Sequence, residues 1–176
     1  MILFFLAKEK NARAASARKE MYMEQNIVLL QPTDFDRCGE IWNLKKQPAL
    51  AKRFRDALQN GSRETWVYQK NGAWLGEISL VYTMPDDDYT IPGRRAYVSH
   101  LVVAKKYRRQ GIGKALVEHV VRQAQEKGLQ ELSIGVDLDN FPALRLYTQA
   151  GFDRVLCVCE DDDGQYVKLM RMLESS

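Results

Sequence analysis

The sequence predicts a mixed α/β domain, and three observations carry that reading. From Asn26 onward, short β-rich apolar runs alternate with segments whose apolar residues recur at helical spacing. The chain has 176 residues, the size of one ordinary domain. With 45% hydrophobic and 28% charged residues it has enough apolar surface to build a core, which excludes a disordered or fibrous chain.

Asn26 to Gln31 reads as a first strand. Thr33 with Asp36 resembles a capping-box start, and Phe35, Cys38, Ile41, Trp42 and Lys45 continue it at helical spacing. A second helix follows Pro48 through Leu50, Phe54 and Leu58 and stops at Asn60-Gly61. Thr65 to Gln69 and Ala73 to Thr83 flank Asn71-Gly72, the dipeptide that best tolerates the positive φ angles of a two-residue turn, so an antiparallel hairpin is expected. Met84 to Arg94 carries Pro85, Asp86 to Asp88, Pro92 and Gly93, the composition of a loop.

The next strand runs from Arg95 to Val103. Gly111 to Lys127 is the clearest helix, with Ile112, Ala115, Leu116, His119, Val120 and Gln123 on one stripe and Gly128 as its stop. Glu131 to Asp137 reads as a strand, and Asn140 to Ala150 as a short helix with Asn140 at the N-cap and Pro142 in the first turn. Phe152 to Glu160 and Gln165 to Leu173 complete an antiparallel pair. The segment 1–22 reads as an extension or an upstream start, with room for a frayed helix over 7–20, ahead of a single domain over 23–176.

Charge and cysteine content exclude some partners. Lys+Arg number 26 and Asp+Glu 23, a net charge of +3, and no basic stripe interleaved with aromatics appears, so nucleic acid is not expected. The opening apolar run, Met1 to Ala7, falls far short of the ~20 residues that cross a bilayer, so no membrane is expected. Cys38, Cys157 and Cys159 lack a second pair at zinc-ligand spacing, and the last two read as packing residues on one strand face. A reduced, cytoplasmic protein without a metal is the expectation.

The chemistry gathers at the turn Arg108-Arg109-Gln110-Gly111-Ile112-Gly113, between a strand and a helix. The first N–H groups of a helix have no internal partners and sit at the positive end of its dipole, so they suit a phosphate; Gly111 and Gly113 let it approach, and Lys114 adds charge. Neither the P-loop nor the dinucleotide-binding glycine pattern is present. Glycine spacing alone fits a turn or close packing as well as a phosphate.

A second pattern, Asn140-Phe-Pro-Ala143-Leu-Arg-Leu-Tyr147-Thr-Gln-Ala-Gly151-Phe152, follows about 30 residues later. Together the two resemble the GCN5-related N-acetyltransferase (GNAT) family, whose acetyl-CoA site carries [QR]-x-x-G-x-[GA] and then N-x-x-A-x-x-x-Y-x-x-x-G-F. The resemblance implies an α/β (α+β) fold: a mostly antiparallel central sheet splayed between its fourth and fifth strands and flanked by about four helices. Those strands would be Arg95 to Val103 and Glu131 to Asp137. It further implies that backbone groups of Leu101, Val102 and Val103 meet the pantetheine arm in the gap, and that Arg108, Arg109, Gln110, Gly111, Ile112, Gly113 and Lys114 surround the pyrophosphate. Asn140 and Ala143 would lie near the cofactor, and Tyr147 would donate a proton or hydrogen bond to the departing sulfur.

The function so implied is transfer of an acetyl group from acetyl-CoA, as co-substrate, to a primary amine by direct attack. A small-molecule amine is favoured as acceptor, with a protein amine as the alternative; a non-catalytic acyl-CoA sensor is the alternative of another class. A homodimer is compatible. A base is needed, and many relatives place an acidic residue just before the L-V-V stretch, where this chain has Ser99 and His100. His100, Glu77 and Asp137 are the candidates. Strand alternation predicts that Ser99 and His100 face opposite sides of the sheet. Asp86 to Asp88 and Glu160 to Asp163 read as solvated turns.

Overall fold

The computed structural model describes residues 12–19, 21–22 and 26–174. Residues 12–19 are helical and exposed, while the apolar opening run and Met23 lie outside the described residues. The strands are β1 (Ile27–Leu29), β2 (Arg63–Lys70), β3 (Ala73–Val81), β4 (Arg95–Val103), β5 (Glu131–Asp137), β6 (Arg154–Asp161) and β7 (Gly164–Met172). They form one sheet in the order β1-β2-β3-β4-β5-β7-β6. After β1 the α-helices are α1 (Pro48–Gln59), α2 (Ile112–Glu126) and α3 (Phe141–Gln149). No described helix is long and apolar enough to cross a membrane.

The elements arise where local chemistry places them. Asn71 (φ 52°) and Gly72 (φ 80°) make the β2–β3 turn. Gly111 takes φ 88° as the N-cap of α2, a conformation that costs glycine nothing, and Asn140 accepts the Ala143 N–H as the N-cap of α3. The first helical segment differs from expectation. It is a 3-10 helix over Pro32–Glu40, capped by Gln31 without a side-chain bond, followed by a separate 3-10 turn over Leu44–Lys46. Gly39 inside it, a poor helix former, does not sustain the longer α-helix that the apolar spacing suggested.

Two cores lie on opposite faces of the sheet, as strand alternation demands. Trp66 and Tyr68 of β2 join Ile78, Leu80, Val98, Leu116, Val120 and Phe152 in the larger one. Val67, between them, faces the smaller one with Phe35, Cys38, Trp42, Ala51 and Leu58. Gly76 on β3 sets the fit of α2: a Cβ there would lie 3.0 Å from the Val102 carbonyl and 3.3 Å from Ile112 Cγ2.

The sheet is splayed where the resemblance implied. β4 and β5 pair in parallel only at Arg95↔Glu131, Ala96↔Leu132 and Tyr97↔Ser133. Beyond Tyr97 the two strands part, while β4 continues to pair with β3 and β5 with β7. Buried Glu131 locks the closed end by accepting from Arg94 and Arg95, each at 2.7 Å. Cys157 and Cys159, expected as packing residues of a reduced protein, are joined by a disulfide.

Candidate active site

The mouth of the gap lies against a distortion in β4. Ser99 pairs with Ser79 and Val102 with Glu77, so His100 and Leu101 oppose the single residue Ile78. This is a β-bulge, and His100 absorbs it with φ 54°. A non-glycine side chain at positive φ is uncommon, and here it redirects the imidazole. The expectation that Ser99 and His100 face opposite sides is thereby corrected. His100 packs on Trp42 and Phe54, at ring distances of 4.8 and 4.9 Å, and Ser99 meets Arg63, whose guanidinium carbon lies 3.6 Å above the same Phe54 ring. Both side chains stand on the face of the smaller core.

There His100 Nδ1 lies 2.8 Å from Glu77 Oε1. Glu77 is 2% exposed, and the same oxygen accepts the Trp42 indole N–H at 3.0 Å. Burial, then the adjacent Glu77 carboxylate, pushes the Cys38 thiol far above its usual range, so that sulfur is a protonated neighbour rather than a nucleophile. Two of the three base candidates are therefore one hydrogen-bonded pair. Asp137 lies at the far end of β5, in the ladder opposite Tyr166, and is not joined to them.

The backbone of β4 divides its polar groups between ladder and gap. The Ala104 N–H bonds to Leu75 O at 2.8 Å, so alternation turns the groups of Val102 toward β3 and those of Leu101 and Val103 toward the gap. The Val103 carbonyl accepts the Arg108 guanidinium at 3.0 Å. That contact folds Arg108 back over the strand end.

At the start of α2, the Ala115 N–H bonds to the Gly111 carbonyl, which leaves the N–H groups of Ile112, Gly113 and Lys114 ahead of the first intrahelical bond. Arg108, Arg109, Gln110 and Gly111 are exposed around them, and open space surrounds Gly111 where a Cβ would stand. Lys114 is shared with Glu118 at 3.4 Å. A cavity of about 580 Å³ runs along α2 from Gly111 and Lys114 to Gln125, with Ser16 and Lys19 of the N-terminal segment on its other wall. The residues at the helix end fit a phosphate-bearing ligand.

Tyr147 is 6% exposed and meets Phe152 edge to face. Burial pushes its phenol above the ordinary range, so it remains a proton donor at neutral pH. Ala143, one turn earlier, packs against the same core.

The loop between β3 and β4 packs against β5 and β7. Asp86 and Asp88, read from sequence as solvated turn residues, hold the buried Lys168 at 2.6 and 3.0 Å. The Tyr89 carbonyl accepts from Ser133, and the Tyr89 phenol occupies the place a Cβ on Gly135 would need. Tyr89 and Tyr97 stack at 4.4 Å beside the point where the strands part. Arg63 is the residue that sequence reasoning missed: it opens β2, where a charged side chain reads as a solvated strand end, yet it is 4% exposed.

The Acetyltransferase (GNAT) family model matches residues 26–152. N-acetyltransferase family 8 member 3 of Mus musculus is 31% identical over 105 residues, which are 60% of this chain and 45% of that protein. The chain thus spans under half the length of the curated relatives it matches first. The fold resembles the crystal structure of the ribosomal-protein-S18-alanine N-acetyltransferase from Escherichia coli, with a TM-score of 0.67 and 20% identity over 85% of this chain and 94% of that one. It also resembles a GNAT family acetyltransferase from Elizabethkingia anophelis with acetyl-CoA bound, with a TM-score of 0.62 and 20% identity over 84% and 99%. Sheet, gap, glycine-opened helix and family match agree, and the chain belongs to the GNAT family of N-acetyltransferases.

Proposed function

We propose that the domain over 23–176 transfers the acetyl group of acetyl-CoA to the primary amine of a small molecule by direct attack on the thioester. The observation that carries this reading is the hydrogen-bonded pair Glu77 and His100 at the mouth of the gap between β4 and β5. Acetyl transfer needs a neutral amine, a polarised carbonyl and a protonated leaving sulfur, and the residues around the gap supply each.

Glu77 accepts the His100 Nδ1–H and so fixes the tautomer in which Nε2 takes the proton of the attacking amine. The gap-facing N–H groups of Leu101 and Val103 offer donors to the carbonyl oxygen as charge develops on it. Tyr147 gives its proton to the departing sulfur. The N–H groups of Ile112, Gly113 and Lys114, with Arg108, Arg109 and Gln110 around them, hold the diphosphate, and Asn140 and Ala143 flank the pantetheine arm. The three steps require no metal.

The test is free-thiol release from acetyl-CoA against a panel of amino acids, polyamines, aminoglycosides and peptides, with mass spectrometry of the products. Acetylated small amines support the reading. Preference for peptides assigns a protein acceptor instead, and cofactor-dependent thermal stabilisation without thiol release from any amine assigns a sensor.

A further inference from the structure

We infer that the acceptor carries a carboxylate near its amine, and that Arg63 with Ser99 receives it; this rests on the acetyl-transfer reading above. Arg63 is buried to 4% exposure, and only two of the five N–H donors of its guanidinium have a side-chain partner. Nε points to Thr65 Oγ1 at 3.4 Å and Nη1 to Ser99 Oγ at 3.5 Å, both long contacts, while Nη2 has no protein partner. Phe54 covers one face of the fork. A buried guanidinium that makes only two weak hydrogen bonds is undersatisfied, since an unpaired buried donor retains its desolvation cost.

The charge of Arg63 is undersatisfied too. Burial lowers its pKa to about 10, although Glu77, Tyr97 and Cys38 all act to raise it. Glu77 already gives one oxygen to Trp42 and His100, so it balances the cation at a distance and not through a fork. A planar carboxylate suits the unpaired Nη2 of the guanidinium and is the group that arginine binds most selectively.

The position fits an acceptor. Ser99 and His100 are adjacent on the bulge and share one face, so a group held by Arg63 and Ser99 places its neighbouring amine beside His100. Entry requires Phe54 to move, and of the twelve residues of α1 that carry it only Ala51 and Leu58 are buried. Three carboxylates on this side already hold cationic or N–H groups: Asp86 and Asp88 hold Lys168, and one oxygen of Glu77 holds His100. Amino acids and related amino carboxylates are therefore the chemical class, ahead of polyamines, aminoglycosides and peptide N-termini.

The experiment compares thiol release for matched acceptors: a set of free amino acids, the corresponding amino-acid amides, and the decarboxylated amines. The expected result is a kcat/KM at least about tenfold higher for the acids, the discrimination a charge-assisted hydrogen bond supplies. In Arg63→Met that acid-to-amide ratio falls toward one, and Arg63→Lys retains part of it; because the ratio is internal to each protein, a general loss of activity does not mimic the effect. Turnover of amides or amines at rates equal to the acids overturns this inference and leaves acetyl transfer standing. No thiol release with any acceptor overturns both.

Discussion

His100 Nδ1 and Glu77 Oε1 stand 2.8 Å apart across the β3–β4 ladder, brought together by one residue of β4 held at φ 54°. A regular strand would turn the imidazole to the larger core, away from the carboxylate.

If the two act as one unit, their losses do not multiply. His100→Gln is expected to lower kcat by about 100-fold, in the range of a general base, and Glu77→Gln by on the order of tenfold. The double substitution should match His100→Gln alone in steady-state assays. Multiplicative losses would show that the residues act separately.

Tyr147→Phe removes the proton donor and leaves the ring packed against Phe152. The expectation is a kcat lower by about 30-fold with little change in KM for acetyl-CoA. Because burial raises the phenol, its ionisation should not appear as an alkaline limb below the ordinary tyrosine range. A pH–rate profile of the native protein checks this.

Gly111→Ala places a Cβ at φ 88°, where strain costs about 1 kcal/mol, and puts a methyl group in the open space above the first N–H groups of α2. KM for acetyl-CoA should rise by on the order of tenfold, with a small fall in Tm. Isothermal titration with CoA reads the same effect without an acceptor.

Glu131→Gln tests the closed end of the sheet. Burial alone would raise this carboxyl, but Arg94 and Arg95 outweigh it and hold the pKa below the ordinary glutamate value. A depressed folded pKa contributes stability that is complete above the unfolded pKa of about 4.3 and is lost as pH falls through the folded value. The native Tm should therefore fall in acid partly through this group. Glu131→Gln should lose on the order of 3 kcal/mol at neutral pH and show a shallower acid slope in thermal melts.

Much of the frame was legible because it is written in local signals. The strand Arg95–Val103, the strand Glu131–Asp137 and the helix closed by Lys127-Gly128 follow from period and caps, and Asn71-Gly72 names its own turn. The glycine-opened start of α2 was legible for the same reason, since glycine at a helix start has a direct structural meaning. What was not legible depends on register. The bulge at His100 is absorbed by a residue that carries no glycine-like signature, so period-two reasoning put Ser99 and His100 on opposite faces. Glu77 and His100, 23 residues apart, meet only through strand pairing, and the burial of Arg63 depends on tertiary packing that lays its guanidinium against Phe54 of α1. The 3-10 form of Pro32–Glu40 escaped because apolar spacing does not separate a 3-10 helix from an α-helix.

The strand order has a consequence for assembly. β7 lies between β5 and β6, although both precede it in the chain. During synthesis β6 therefore has no neighbour to bond until β7 emerges, and Lys168, which rides on β7, arrives long after the two aspartates it anchors. The β3–β4 loop is thus anchored through Lys168 only once β7 has taken its place between β5 and β6, so that loop's closure depends on strand pairing distant from it in sequence.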